Sequence, residues 1–114
     1  MEIVRPAKIV LVYAHWCPHC VPVSTEPVDR LGALLGVPVQ LLDIDVPGEE
    51  IIADELVKRY GDWVEDYLIP QVFLEWSDGR VEHLLTGTPG SLDGTRRNWQ
   101  RLLDRSFSPP PVPR

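Results

Sequence analysis

The chain has 114 residues, 44% of them hydrophobic and 25% charged, which suits one domain with a modest core. Seventeen acidic against eleven basic residues give a net charge of −6 with no Lys/Arg run, which argues against nucleic-acid and anionic-membrane partners. No apolar run approaches the about 18 residues that span a bilayer, and Met1-Glu2-Ile3-Val4-Arg5-Pro6 lacks the basic-then-apolar order of a signal peptide; a cytoplasmic monomer is expected.

Residues 7–14 form a short apolar run rich in Val and Ile and predict a buried strand. Residues 17–36 predict a helix with Val21, Val28, Leu31, Leu34 and Leu35 as its apolar face, stopped by Gly36 and Pro38. Pro22 and Pro27 should kink or split it, whereas Pro18 suits a first helical position. Residues 37–44 predict a second buried strand, followed by an Asp45-Val46-Pro47-Gly48 turn. Glu49 and Glu50 then open a helix where its dipole favours acids, with Ile52, Leu56 and Tyr60 as the apolar face and Gly61 as the cap. Residues 62–68 predict a further short turn, with Trp63 and Tyr67 on one side. Residues 71–76 and 80–86 predict an antiparallel pair joined at Ser77-Asp78-Gly79. Leu92, Trp99, Leu102 and Leu103 mark a closing amphipathic helix. The domain is expected to cover 1–105, with 106–114 a proline-rich, polyproline-like or disordered tail. The order β-α-β-α-β-β-α predicts an α/β fold: a four-stranded mixed sheet with helices on both faces.

The stretch His15-Trp16-Cys17-Pro18-His19-Cys20 holds the only two cysteines. In a cytoplasmic protein a lone Cys-x-x-Cys points to redox chemistry or metal binding rather than a structural staple. Only a thiolate attacks a disulfide. At a helix start, Cys17 would gain from free N–H groups and partial positive charge, with Pro18 fixing the turn and His19 adding a donor or a charge. A thiolate stabilised in this way shifts the couple toward an oxidant. Cys20, one turn on, suits a disulfide with Cys17. Cys17 therefore reads as the exposed attacker and Cys20 as the more buried resolving thiol. His15 reads as an exposed loop residue, and Asp43, Asp45 and Glu75 as solvated strand-end acids. Two rival readings stand beside this one. His15, Cys17, His19 and Cys20 could hold zinc or copper in a non-catalytic metal-binding module, although a helix start does not easily fold four ligands around a tetrahedral ion. The chain could also be an interaction domain without catalysis.

Three local patterns resemble the thioredoxin-fold superfamily over residues 7–105. Tyr13-Ala14-His15-Trp16-Cys17-Pro18-His19-Cys20 is similar to its aromatic-Ala-x-Trp-Cys-x-x-Cys motif. Leu68-Ile69-Pro70-Gln71-Val72-Phe73 resembles the hydrophobic-Pro-x-hydrophobic-Phe loop of thioredoxins and glutaredoxins, and Asp78-Gly79 followed by Gly87 resembles the closing hairpin. The resemblance implies a thioredoxin- or glutaredoxin-like protein-disulfide oxidoreductase serving cell redox homeostasis. It implies catalytic Cys17, Cys20, His19 and Pro18, with Trp16, Ile69 and Pro70 facing the substrate, and a cis Ile69–Pro70 bond opposite the cysteines. No bound cofactor or metal is implied. The partners would be protein or small-thiol disulfides and a thiol or flavin-dependent reductase. Leu11 and Leu41 stand where thioredoxins carry a buried Asp and Lys. The Cys-Pro-His-Cys tetrapeptide is the one found in disulfide-introducing oxidases, while the Pro70 loop is similar to glutaredoxins.

Overall fold

The computed structural model describes residues 3–109. Its elements are β1 (Pro6–Tyr13), α1 (Thr25–Leu35), β2 (Val39–Asp43), α2 (Pro47–Tyr60), β3 (Gln71–Trp76), β4 (Val81–Thr86) and α3 (Leu92–Asp104). They form one sheet in the order β2-β1-β3-β4, with β1 parallel to β2 and antiparallel to β3, and β3 antiparallel to β4. This α/β arrangement is the expected one and is compatible with a thioredoxin-like fold.

The central strands explain the two-layer packing. Successive side chains of a strand point to opposite faces, so a strand covered on both sides reads as a continuous apolar run. Ile9, Leu11 and Tyr13 of β1, with Val72, Leu74 and Trp76 of β3, pack toward Val28 and Leu31 of α1 and Trp99 and Leu102 of α3. Val10 and Val12, with Phe73, pack the other way, onto Ala53 and Val57 of α2. Register reinforces this, pairing Ile9 with Leu74, Val10 with Phe73 and Leu11 with Val72.

Three expectations shift. The face of α2 is not Ile52, Leu56 and Tyr60. Ile52 is 53% exposed and Tyr60 is exposed too, while Ala53 and Val57 are buried and Leu56 is only partly so. The small Ala53 lets α2 approach the sheet, and the face follows from that approach. The helix also begins at Pro47, two residues before the acids, because proline suits the first helical position. Leu34 and Val21 are exposed, so the apolar face of α1 narrows to Val28, Leu31 and part of Leu35.

The tail expected over 106–114 falls beyond the described residues from 110 onward. Residues 106–109 have no regular structure, yet Phe107 packs against the core and lies 4.2 Å from the Arg105 guanidinium. Among the described residues, no helix is long and apolar enough to cross a membrane.

Candidate active site

β1 delivers the two cysteines at its C-terminal end. Ala14 is buried beneath the turn, and the Cys17 N–H donates to its carbonyl at 3.3 Å. The Cys20 and Val21 N–H groups both donate to the Cys17 carbonyl, at 3.0 and 3.1 Å, so the pair spans a single closed turn. The long helix expected from residue 17 does not form there. The Ser24 and Thr25 N–H groups both reach the Cys20 carbonyl, at 3.0 and 2.9 Å, and α1 starts only at Thr25. Pro22 is the cause, because it has no N–H to continue the ladder; the Val21–Pro22 bond is cis. Cys17 therefore heads a run of turns over residues 18–24 that leads into α1, not the first turn of a long helix.

The outer cysteine is more covered than expected, and the inner one is buried as expected. Cys17 is 5% exposed rather than open, and Cys20 is 0% exposed. The cover over Cys17 is the loop before β3. Ile69–Pro70 is a cis bond, and the Ile69 carbonyl lies 3.9 Å from the Cys17 Sγ. Gly87 holds this loop by donating its N–H to the Pro70 carbonyl at 2.9 Å. A Cβ on Gly87 would meet the Pro70 Cδ at 2.7 Å and the Ile69 oxygen at 2.9 Å, so only glycine allows the approach.

Burial pushes the Cys20 thiol well above the ordinary thiol range; a hydrogen bond with the Cys17 side chain adds to the rise, and the backbone at Ala14 opposes it. Because the folded value lies above the unfolded one, this group's contribution is complete below about pH 8.5 and is lost as the pH climbs beyond it, where only the unfolded thiol ionises. The dithiol protein should therefore lose stability between about pH 8.5 and pH 10 more steeply than Cys20→Ser, which lacks that proton. Urea midpoints across that range would show the difference. Parallel curves would mean that Cys20 titrates as an ordinary thiol.

The neighbours of the motif are tied down in different directions. Trp16 is 67% exposed, and its Nε1–H donates to the Asp45 Oδ2 at 2.9 Å, so the indole stands beside the turn after β2. Pro18 is exposed at the crest of the turn. His15 is exposed, as expected, but its Nε2 lies 3.2 Å from the Tyr13 hydroxyl and 3.4 Å from the Asp43 Oδ2. Asp43 is not a solvated acid. It is buried, and its Oδ1 accepts from the Asp45 N–H at 2.8 Å. His19 is half-buried and reaches α3, where its Nδ1 lies 2.7 Å from the Thr95 Oγ1. Leu11 and Leu41 are register partners; Leu11 is buried, but Leu41, on the edge strand, is 42% exposed. Among the described residues, no group of three or more His, Cys, Asp or Glu is disposed to hold a metal ion.

Three bracing residues were not singled out by the sequence. Thr95 is buried, and besides meeting His19 it accepts from the Thr88 N–H at 2.9 Å. Ser24, also buried, donates to the His19 carbonyl at 2.6 Å and accepts from the Trp99 Nε1–H at 2.8 Å. Gln71 braces the loop that carries Pro70: its Nε2 donates to the carbonyls of Asp62 and Leu68 at 3.2 and 3.0 Å, and its Oε1 accepts from the Asp62 N–H at 3.0 Å. Ser24 falls inside the helix expected over 17–36 and so carries no local signal of this role. Thr95 meets His19 across 76 residues, which local spacing does not show.

No family model matches the chain, and no curated protein or solved structure shows significant similarity to it.

Proposed function

We propose that the chain is a thiol–disulfide oxidoreductase of thioredoxin-like kind, with Cys17 as the attacking thiol and Cys20 as the resolving one. The observation that carries this reading is the pairing of two free thiols on one turn, the outer one facing the Ile69 carbonyl at 3.9 Å and the inner one fully buried. The rise at Cys20 keeps the inner sulfur protonated while the outer one reacts.

The Cys17 thiolate attacks one sulfur of a substrate disulfide. A Cys17–substrate disulfide forms, and the other substrate sulfur leaves as a thiolate that takes up a proton. Cys20 then gives up its proton and attacks the Cys17 Sγ, forming the Cys17–Cys20 disulfide and expelling the second substrate thiolate. Two electrons pass from the protein to the substrate. A thiol or a flavin-dependent reductase returns them, as suits the cytoplasm expected from the sequence. No bound cofactor takes part. His19, held at 2.7 Å by Thr95, would tune the turn, and Trp16, Ile69 and Pro70 would form the surface met by the substrate. A metal-binding role would require His15 and His19 to leave the partners they now hold on β1, β2 and α3.

The deciding measurement is the reduction potential of the Cys17–Cys20 couple against a glutathione buffer. A value between about −270 and about −120 mV is expected, the span from thioredoxin to the strongest dithiol oxidants. A value near the first limit marks a reductant, and one near the second an oxidant or isomerase. Failure to form any disulfide would overturn the reading.

A further inference from the structure

We propose that Thr95 is a positioning residue for the dithiol couple: its buried hydroxyl fixes the His19 ring as the Nε2–H tautomer and makes the couple less oxidising. This inference rests on the oxidoreductase reading and adds a residue of α3 that governs it. His19 stands between the two cysteines, so a charge on its ring acts inside the turn that carries both sulfurs. The ring is not left to solvent. It is half-buried, and its Nδ1 lies 2.7 Å from the Thr95 Oγ1.

The hydrogen count at that oxygen assigns the tautomer. A threonine hydroxyl has one hydrogen and two lone pairs. One lone pair accepts the Thr88 N–H at 2.9 Å. The hydrogen then has two acceptors within reach, the His19 Nδ1 at 2.7 Å and the Ser91 carbonyl at 3.5 Å. Hydroxyl donors prefer about 2.5–3.0 Å, so the hydrogen goes to the imidazole. A ring nitrogen that accepts carries no hydrogen, which leaves the proton of the neutral ring on Nε2. A proton on Nδ1 would reverse the bond and leave the hydroxyl hydrogen only the 3.5 Å contact. Thr95 is 0% exposed, so water does not relieve that loss.

The oxygen is itself anchored. Thr88 follows Gly87, whose N–H holds the Pro70 carbonyl at 2.9 Å, so one hydroxyl joins the cysteine turn to the loop that covers Cys17. The charged residues flanking Thr95 on α3, Asp93, Arg96 and Arg97, are exposed, and Asp93 pairs with Arg96 at 3.2 Å. The titratable groups that share the turn with the ring are the two thiols. Without the Thr95 hydroxyl, Nδ1 is free to take a proton. A cation in the turn favours the Cys17 thiolate, and with it the reduced dithiol.

The test equilibrates the full chain with reduced and oxidised glutathione at about pH 7, near the middle of the range in which imidazoles titrate. Alkylation and mass spectrometry then read the fraction held as the Cys17–Cys20 disulfide. Thr95→Val keeps the shape and removes the hydroxyl. It should shift the exchange constant toward the dithiol by at least about three-fold, or about 14 mV at about 30 mV per ten-fold for a two-electron couple. Thr95→Ser keeps the hydroxyl and should match the wild type. In a His19→Ala background, Thr95→Val should produce no shift. Nitrogen–proton correlation of the His19 ring in the wild type needs no variant to fold, and it should place the proton on Nε2. A Thr95→Val constant equal to that of the wild type would overturn the proposal. So would an equal shift with and without His19, a Thr95→Ser shift as large as that of Thr95→Val, or a proton found on Nδ1. Each of these leaves the dithiol chemistry standing. If the wild type forms no disulfide even in oxidised glutathione, the oxidoreductase reading fails and takes this role of Thr95 with it.

Discussion

Cys20→Ser should turn the protein into a trap. With Cys17 intact, the first attack still forms the mixed disulfide, but a serine hydroxyl at 20 cannot displace the bound sulfur. The half-substrate then stays attached, and the protein gains its mass on a denaturing, non-reducing gel or in mass spectrometry. Cys17→Ser should give the opposite result. No adduct forms, and turnover falls on the order of a thousand-fold or more, the scale seen when a nucleophile is removed. The asymmetry follows from position. The Cys17 sulfur faces the Ile69 carbonyl, whereas Cys20 is 0% exposed, hydrogen-bonded toward Cys17 and held as a thiol by burial. An adduct on Cys20 in the Cys17→Ser protein, at a rate equal to that on Cys17, would reverse the assignment of roles. Reaction with neither would remove the dithiol mechanism.

What the sequence could reveal depended on the range of the interactions. The strands were legible because burial on both faces leaves an unbroken apolar run, as in Ile9 to Tyr13, and local spacing is enough to see it. The cysteine turn and the Ile69–Pro70 loop were legible as short motifs, and the fold brings them within 3.9 Å of each other. The start of α1 was misplaced even though Pro22 carried the warning. Apolar periodicity continued through it, but a missing N–H outweighs periodicity. The face of α2 is not the one its large residues mark. There the helix approaches the sheet through Ala53, and Ile52 is left in solvent. The exposure of Cys17 was overestimated for a similar reason: its cover comes from a loop 52 residues away. Thr95 meets His19 across 76 residues, and only tertiary structure shows that bond.

Ser24→Ala should be costly for the loss of one oxygen, and it leaves both sulfurs in place. One hydroxyl serves two groups: it donates to the His19 carbonyl at 2.6 Å and accepts from the Trp99 Nε1–H at 2.8 Å. Ser24 is 0% exposed and Trp99 is buried beside it, so water cannot simply replace the lost oxygen. Leaving a buried donor or acceptor unpaired costs about 1–3 kcal/mol each, which puts the substitution at about 2–6 kcal/mol, a large share of the stability of a domain this size. The urea midpoint should fall with an unchanged slope. A double-mutant cycle with Trp99→Phe separates this cause from simple loss of packing. Phenylalanine removes the indole N–H, so the second loss should be smaller in the alanine background than in the wild type, with a coupling of about 1 kcal/mol or more. Additive losses would mean that the serine fills space and nothing else. The same variant bears on the site. The His19 carbonyl is one of the two points at which α3 holds the cysteine turn through hydroxyls, the other being the Thr95 contact with the His19 ring. Loosening it should expose Cys20, so alkylation of the dithiol form should go from one fast thiol to two. Retention of a single fast thiol in Ser24→Ala would show that the sheet and the Pro70 loop alone keep Cys20 buried.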